Sequence, residues 1–363
     1  MAAEVLKAWP EPLEYHLPLS GRALAPGLKV GRPIAAGQPI ALSPNPLMGA
    51  LRAPADGVVA SLGALFLTLK KGPGRGSPAP APALDLKGLS GAALAQAALS
   101  LGVSLPPPPR PGETVVASAL EPDFDLTLAR ALWAEWPSVM TQGLELVARL
   151  CPDRPRALAG PPGLSPPEGW ALKVVDQPYP ETLGPFLKRR LGLGYDQGGR
   201  GFFDSRTIYL LGLIARGGRP PRLWPLAVQG QNYLAPLGLR PLDVLRAVSL
   251  EPRPGDAVSL GGRGLGRPTA RLSEGLGPET YAIRLVRARD LSPGPGPCRG
   301  CQACAQACPL SLPIFALAKE PLRAWPKLGP IAKRLLAGCP DCGQCALACP
   351  ARRPLRFFSS GVA

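Results

Sequence analysis

Apolar positions change their spacing several times along the chain, and each change marks a different kind of element. Over residues 28–59 (LKVGRPIAAGQPIALSPNPLMGALRAPADGVV), short apolar pairs are separated by Gly, Pro, Asn and Asp turns, which predicts a run of brief strands. A Pro/Gly/Ala stretch at 72–83 reads as a linker. Beyond it the period lengthens: 84–102 predicts a Gly-containing turn and an Ala/Leu helix, 115–117 a strand, and 126–150 a long amphipathic helical pattern broken near Pro137. Residues 172–175 form another expected strand, and 182–191 and 205–216 are helical. Strands alternating with helices imply an open α/β domain. Residues 223–250 mix one strand with a helix at 241–248. The GGRGLG phrase at 261–266 then precedes a strand at 281–287 and a Pro/Gly hinge at 292–297.

Composition narrows the class. Of 363 residues, 49 are Pro and 43 Gly, about a quarter of the chain, which by itself suggests low complexity. With 46% hydrophobic and 18% charged residues, however, there is material for several cores, and wholesale disorder is excluded. A chain of this length divides into domains, because single cores stop growing at roughly 250–300 residues. No apolar run approaches the ~20 residues of a spanning helix. The N-terminus, interrupted by Pro10, Pro12 and Pro18, has no apolar stretch of signal-peptide length. The expectation is a chain without a transmembrane segment of its own, in the cytoplasm or peripheral on the cytoplasmic face of the inner membrane.

The cysteines carry the chemistry. Eight of the nine lie in the last part of the chain, in two copies of one spacing: Cys298, Cys301, Cys304, Cys308 with Pro309, and Cys339, Cys342, Cys345, Cys349 with Pro350. Both read C-x-x-C-x-x-C-x-x-x-C-P, the bacterial ferredoxin run for [4Fe-4S] clusters. A tight loop wraps three thiolates round one face of a cubane, the fourth Cys points toward the neighbouring cluster, and Pro ends the loop. The expected ligand sets are therefore Cys298, Cys301, Cys304 and Cys349 for one cluster, and Cys339, Cys342, Cys345 and Cys308 for the other. Paired zinc sites or disulfides would explain C-x-x-C pairs but not a third and fourth Cys and a following Pro, twice. Clusters of this kind persist in reducing surroundings, again favouring the cytoplasm. Cys151 reads as a buried structural thiol. His16, the single histidine, is assigned no catalysis.

The formal charge is +16, and from residue 291 onward nine basic residues face only Glu320 and Asp341. Thiolate-bound clusters offset part of this excess. The remainder suits an acidic soluble electron carrier, such as ferredoxin or flavodoxin, or an anionic membrane surface. No basic stripe with interleaved aromatics is present, so nucleic acid is not an expected partner.

VGRPIAAGQPIA and APADGVV resemble the two halves of a biotinyl or lipoyl barrel-sandwich hybrid, although residues 43–53 hold no acceptor Lys. With YDQGG at 195–199, GGRGLG at 261–266 and the two cysteine runs, the order of modules resembles the C subunit of Rnf-type electron-transport complexes; the cobalamin reductase of propanediol-utilising microcompartments is similar in plan. This resemblance implies a multidomain α+β fold with four parts: a barrel-sandwich hybrid at 1–71, an α/β domain like that of the complex I FMN subunit at 84–222, a small soluble-ligand-binding (SLBB-like) module with its connector at 223–290, and a helical dicluster ferredoxin domain at 291–363. It also implies membrane subunits of an Rnf-like complex as partners, and FMN beside two [4Fe-4S] clusters.

Here the sequence departs from the family. The Gly-rich flavin loop is reduced to Gly88-Leu-Ser-Gly91, and the flavin-holding strand end keeps only Glu121-Pro122. Side chains at Ser90 and Ala93 crowd a phosphate that needs bare backbone. Gly88, Gly91 and Glu121 therefore mark a degenerate flavin site. The expected activity is single-electron relay through the clusters, with no general acid, base or nucleophile. The alternatives are an active flavin subunit that oxidises NADH, a cobalamin-reductase-like flavoenzyme, and an assembly factor with structural clusters.

Overall fold

The computed structural model describes residues 6–72, 82–176, 178–269, 272–288, 296–321, 324–353 and 355; most of the linker at 72–83 and of the hinge at 292–297 lies outside them, as does Phe357. The described residues form a mixed α/β, multidomain structure with four sheets. After β1 (Lys7–Ala8), two small antiparallel sheets stand face to face. One contains β2 (Glu14–Pro18), β4 (Pro33–Ile34), β7 (Gly57–Leu62) and β8 (Phe66–Lys71), and the other β3 (Ala23–Leu24), β5 (Pro39–Leu42) and β6 (Leu51–Arg52). Alternate residues point inward, so Tyr15, Leu17, Ile40, Leu51, Val59, Leu67 and Leu69 are buried between them. His16 faces the other way, packing edge-on against Phe66 at 5.7 Å.

The second part is a parallel sheet of β9 (Val115–Ser118), β10 (Arg156–Gly160), β11 (Ala171–Val174) and β12 (Phe202–Phe203), in the order β11-β10-β9-β12. The chain first moves outward from β9 and then returns to its other side, so the order reverses at β9. In such sheets, the carboxyl ends beside the reversal form a natural crevice. Around the sheet lie α1 (Gly91–Ser100), α2 (Leu128–Glu135), α3 (Pro137–Leu150), α4 (Gly184–Arg190) and α5 (Ser205–Gly217). Pro137 separates α2 from α3 and occupies the start of the latter, where its missing N–H costs nothing. Asp204 caps α5 by accepting the Thr207 N–H at 2.7 Å, and Gly218, at φ 57°, ends it. Cys151, at the end of α3, is buried in the main core, as expected.

A six-stranded mixed sheet follows: β13 (Trp224–Val228), β14 (Gln231–Ala235), β15 (Ala257–Leu260), β16 (Arg267–Thr269) and β17 (Ala282–Val286), with α6 (Pro241–Ala247) between β14 and β15. Where one strand was expected over 223–250 there is a hairpin. Gln229 and Gly230 both adopt positive φ (50° and 84°), the two-residue turn that matches strand twist. Gln in place of the usual Asn or Asp hid that turn in the sequence. The sixth strand is β1, which pairs parallel with β14 through Lys7 opposite Tyr233 and Ala8 opposite Leu234. The tail contributes α7 (Ala303–Gln306), α8 (Ile314–Ala318), α9 (Trp325–Leu335) and α10 (Gln344–Leu347), around a small core of Ile314, Leu317, Ala332, Leu336 and Leu355.

α3 and α5 pack backbone to backbone. A Cβ on Gly143 would lie 2.0 Å from the Ile208 carbonyl oxygen, and one on Gly212 would lie 2.0 Å from that of Val139. The two backbones touch because both positions lack a side chain. Gly143→Ala or Gly212→Ala is expected to force the helices apart and cost about 1–3 kcal/mol, measured as a lowered midpoint of chemical unfolding. Near the end of the six-stranded sheet, Asp256 accepts the N–H of Arg253 at 2.9 Å, that of Ala288 at 2.7 Å, and Arg287 Nη1 at 2.8 Å. These bonds hold its carboxyl at about 2. Because the folded value lies below the unfolded one of ~3.9, its contribution is complete above about pH 4 and fades as pH falls through the folded value. Acid titration of Asp256→Asn should lack that part of the stability loss.

Candidate metal centre

The two cysteine runs fold alike. Positive φ recurs at matching positions: Gly300 (71°) and Asp341 (56°), Gln302 (57°) and Gly343 (76°), Ser311 (51°) and Arg352 (49°). Each run turns sharply twice, enters a one-turn helix, α7 or α10, and leaves through Cys-Pro. The left-handed turns curl each chain segment into a compact loop.

The runs exchange their last cysteines. Cys308 from the first run lines one pocket with Cys339, Cys342 and Cys345 from the second. Phe186, Leu310, Leu312, Ile314, Leu336 and Leu355 supply most of the remaining wall, and Asp341 contributes one polar side chain. Reciprocally, Cys349 lies within electrostatic range of Cys304, together with Cys298. Cys301 is exposed and Cys342 buried. The structure thus brings Cys308 to the second run and Cys349 to the first.

Backbone amides point at the sulfurs. Gly300 N–H donates to Cys298 Sγ at 3.5 Å and Leu312 N–H to Cys308 Sγ at 3.4 Å. The amides of Ala305, Gln344 and Ala346 reach Cys304, Cys342 and Cys345. Burial, with the neighbouring thiols acting in the same direction, pushes Cys342 up to about 11 and Cys345 to about 12. Burial likewise raises Cys304. Four clustered thiolates are therefore unfavourable on their own, and a cationic core that binds them supplies what the pocket lacks. A thiol-rich set among apolar side chains suits a soft, iron–sulfur type of ligand. Among the described residues, no three His, Cys, Asp or Glu side chains are arranged to hold a single metal ion.

The parallel-sheet part covers the second run. Tyr179 Oη donates to the Cys342 carbonyl, Tyr195 Oη to that of Gly338, and Gln197 Nε2 to that of Cys339 at 2.9 Å. The YDQGG phrase has a structural reason for this aim. Asp196 accepts the N–H groups of Gly198 (3.1 Å) and Arg200 (2.7 Å), and buried Lys188 binds Asp196 at 3.2 Å and the Arg200 carbonyl at 2.9 Å. With Asp196 turned inward, Tyr195 and Gln197 on either side of it face the tail. Sequence reasoning flagged this phrase for its glycines and missed the two side chains that make the contact.

The flavin-site residues are placed differently. Gly88 (φ 75°) lies in the turn before α1, and Gly91 (φ 51°) is its first residue. Arg149 holds this loop by donating to the Leu86 and Leu89 carbonyls. Glu121 follows β9, where its carboxylate accepts the N–H groups of Ala129 (3.1 Å) and Arg130 (2.9 Å) at the start of α2. Glu121 lines a cleft of about 630 Å³ at the carboxyl ends of the parallel strands, with Leu120, Pro161, Asp176 and Tyr179; neither glycine lines it.

No protein-family model matches the chain, and no curated protein does. Among solved structures, the chain is similar to an NAD+-reducing [NiFe]-hydrogenase in the H2-reduced state, at 15% identity and a TM-score of 0.43 over 69% of this chain and 57% of that one. The air-oxidized state of an NAD+-reducing [NiFe]-hydrogenase gives 13% identity and a TM-score of 0.39 over 68% and 56%. The chain thus spans less than two thirds of each of those chains.

In ligand-free protein, alkylation should follow thiolate availability. Exposed Cys301 should react first, and Cys342 and Cys345 last, as read by peptide mapping after brief iodoacetamide treatment.

Proposed function

We propose that the chain is an iron–sulfur electron-transfer subunit, carrying two [4Fe-4S] clusters within an Rnf-like oxidoreductase complex. One observation carries this reading: seven of the eight thiols fall into two groups, Cys308 with Cys339, Cys342 and Cys345, and Cys349 with Cys298 and Cys304, so that Cys308 and Cys349 are exchanged between the runs. The ligands are then Cys298, Cys301, Cys304 and Cys349 at the first site, and Cys339, Cys342, Cys345 and Cys308 at the second. Bound clusters supply reversible one-electron chemistry. The chain's own residues hold the thiolates, direct amide N–H groups at sulfur, and keep water from the second pocket with Phe186, Leu310, Leu312 and Leu355.

The first site, where Cys301 is exposed, serves as the outer port, and the second as the inner one. Exposed Arg299, Lys319 and Arg334 in the same tail favour an acidic carrier such as ferredoxin or flavodoxin. Among the described residues no helix is long and apolar enough to cross a membrane. In this reading, the membrane subunits of the complex hold the chain at the cytoplasmic face.

A second reading, an active flavin subunit, is favoured by the cleft at the carboxyl ends of the parallel strands, where sheets of this type bind nucleotides and flavins. Against it stand the separation of Gly88 and Gly91 from that cleft and the engagement of Glu121 by α2.

Anaerobic reconstitution tests the first reading. It should give about eight iron and about eight labile sulfide per chain. Cys308→Ala should lose the second cluster and keep the first, and Cys349→Ala the reverse, as read by iron content and EPR. A protein that takes up only zinc would overturn it. Flavin retained after reconstitution with FMN, with clusters bleached by NADH, would favour the second.

A further inference from the structure

The two thiol sites differ in what surrounds them. Three side chains outside the tail donate hydrogen bonds to carbonyls in or just before the second run: Tyr179 to Cys342, Tyr195 to Gly338 and Gln197 to Cys339. Phe186 closes the same pocket, and Tyr179, Phe186 and Cys342 share one buried cluster that Tyr195 packs against. Among the described residues, the first run receives one such bond, from Arg189 Nη1 to the Pro309 carbonyl at 3.4 Å. The same repeated loop therefore takes three donors from outside the tail in one copy and a single one, at its exit, in the other.

Resting on the iron–sulfur reading above, we propose that Tyr179, Tyr195 and Gln197 are positioning residues for the second cluster alone, making its potential more positive than its loop would give unaided. The physical route is short. Each carbonyl oxygen that these groups bind carries negative charge close to the thiolates. A donor on that oxygen withdraws electron density, and its positive end stabilises the extra negative charge of the reduced cluster. The inner site thereby becomes the better electron acceptor of two sites with the same ligand spacing.

The test is an EPR-monitored redox titration of the reconstituted full chain, with the second-site signal assigned by its loss in Cys308→Ala. Tyr179→Phe and Tyr195→Phe keep the rings and remove only the hydroxyls. Each should lower the second-site reduction equilibrium about tenfold, which for one electron is about 59 mV to more negative potential, and leave the first site where it was. Gln197 is exposed, so Gln197→Leu tests the same point without disturbing a core. Its shift should be in the same direction, and it decides the matter if the tyrosine variants do not fold. Unmoved potentials, or equal shifts of both clusters, would overturn the proposal while leaving the electron-transfer reading intact. Failure of the unsubstituted chain to bind iron would instead remove the reading on which it rests.

Discussion

The exchange of cysteines between two runs is the constraint on which the tail depends. A pocket that draws three thiols from one loop and the fourth from the other closes only when both loops are in place. Neither run is then an independent unit, and the short helices α7 and α10, one turn each, are far too short to persist alone. What holds them is mutual: the exchanged thiols, the small core of Ile314, Leu317, Ala332 and Leu336, and the face that the parallel-sheet part presents to the second run. Burial and like charge both oppose ionising the thiols, so the arrangement is arduous without a ligand and natural with one.

Legibility in the sequence followed signal length. The helices at 91–100, 137–150 and 205–217 bury apolar stripes over several turns and end at Pro, Asp or Gly, so period and punctuation agreed. β10 was passed over because RALAG is short, Ala-rich and without β-branched residues; it is a strand because it lies in the middle of a parallel sheet, between β9 and β11. β12, two residues long, has no period at all. In the candidate site, the spacing of eight cysteines was visible because ligation demands it locally. The contacts of Tyr179, Tyr195 and Gln197 were not, since each reaches across more than a hundred residues of chain and no local rule encodes such a meeting. Glu121 shows the opposite limit: its motif position suggested a cofactor, while the fold sets its carboxylate on the amides of α2.

The positive charge looks different once the arginines are placed. Arg52 donates to the Gly37 and Ser100 carbonyls, Arg206 to Pro278 and Thr280, and Arg353 to Gly296 and Glu320. Arg206 also lies over the Trp224 ring at 5.3 Å, and burial lowers it to about 10. The guanidinium fork satisfies two loop carbonyls at once, which a Lys could not do with the same geometry. These arginines therefore serve as internal bracing for loops rich in Pro, whose missing N–H groups leave fewer backbone donors available. Net charge overstates the surface available for docking.

β1 gives the first domain an unusual anchorage. Lys7 and Ala8 are stitched into the six-stranded sheet beside β14. The Ala50 N–H bond to Leu99 pins its middle to α1 as well. A carrier domain works by swinging on one tether, delivering a group between distant sites. The two small antiparallel sheets are instead moored ahead of β2, through β1, and again at their waist, like a keystone rather than a crane.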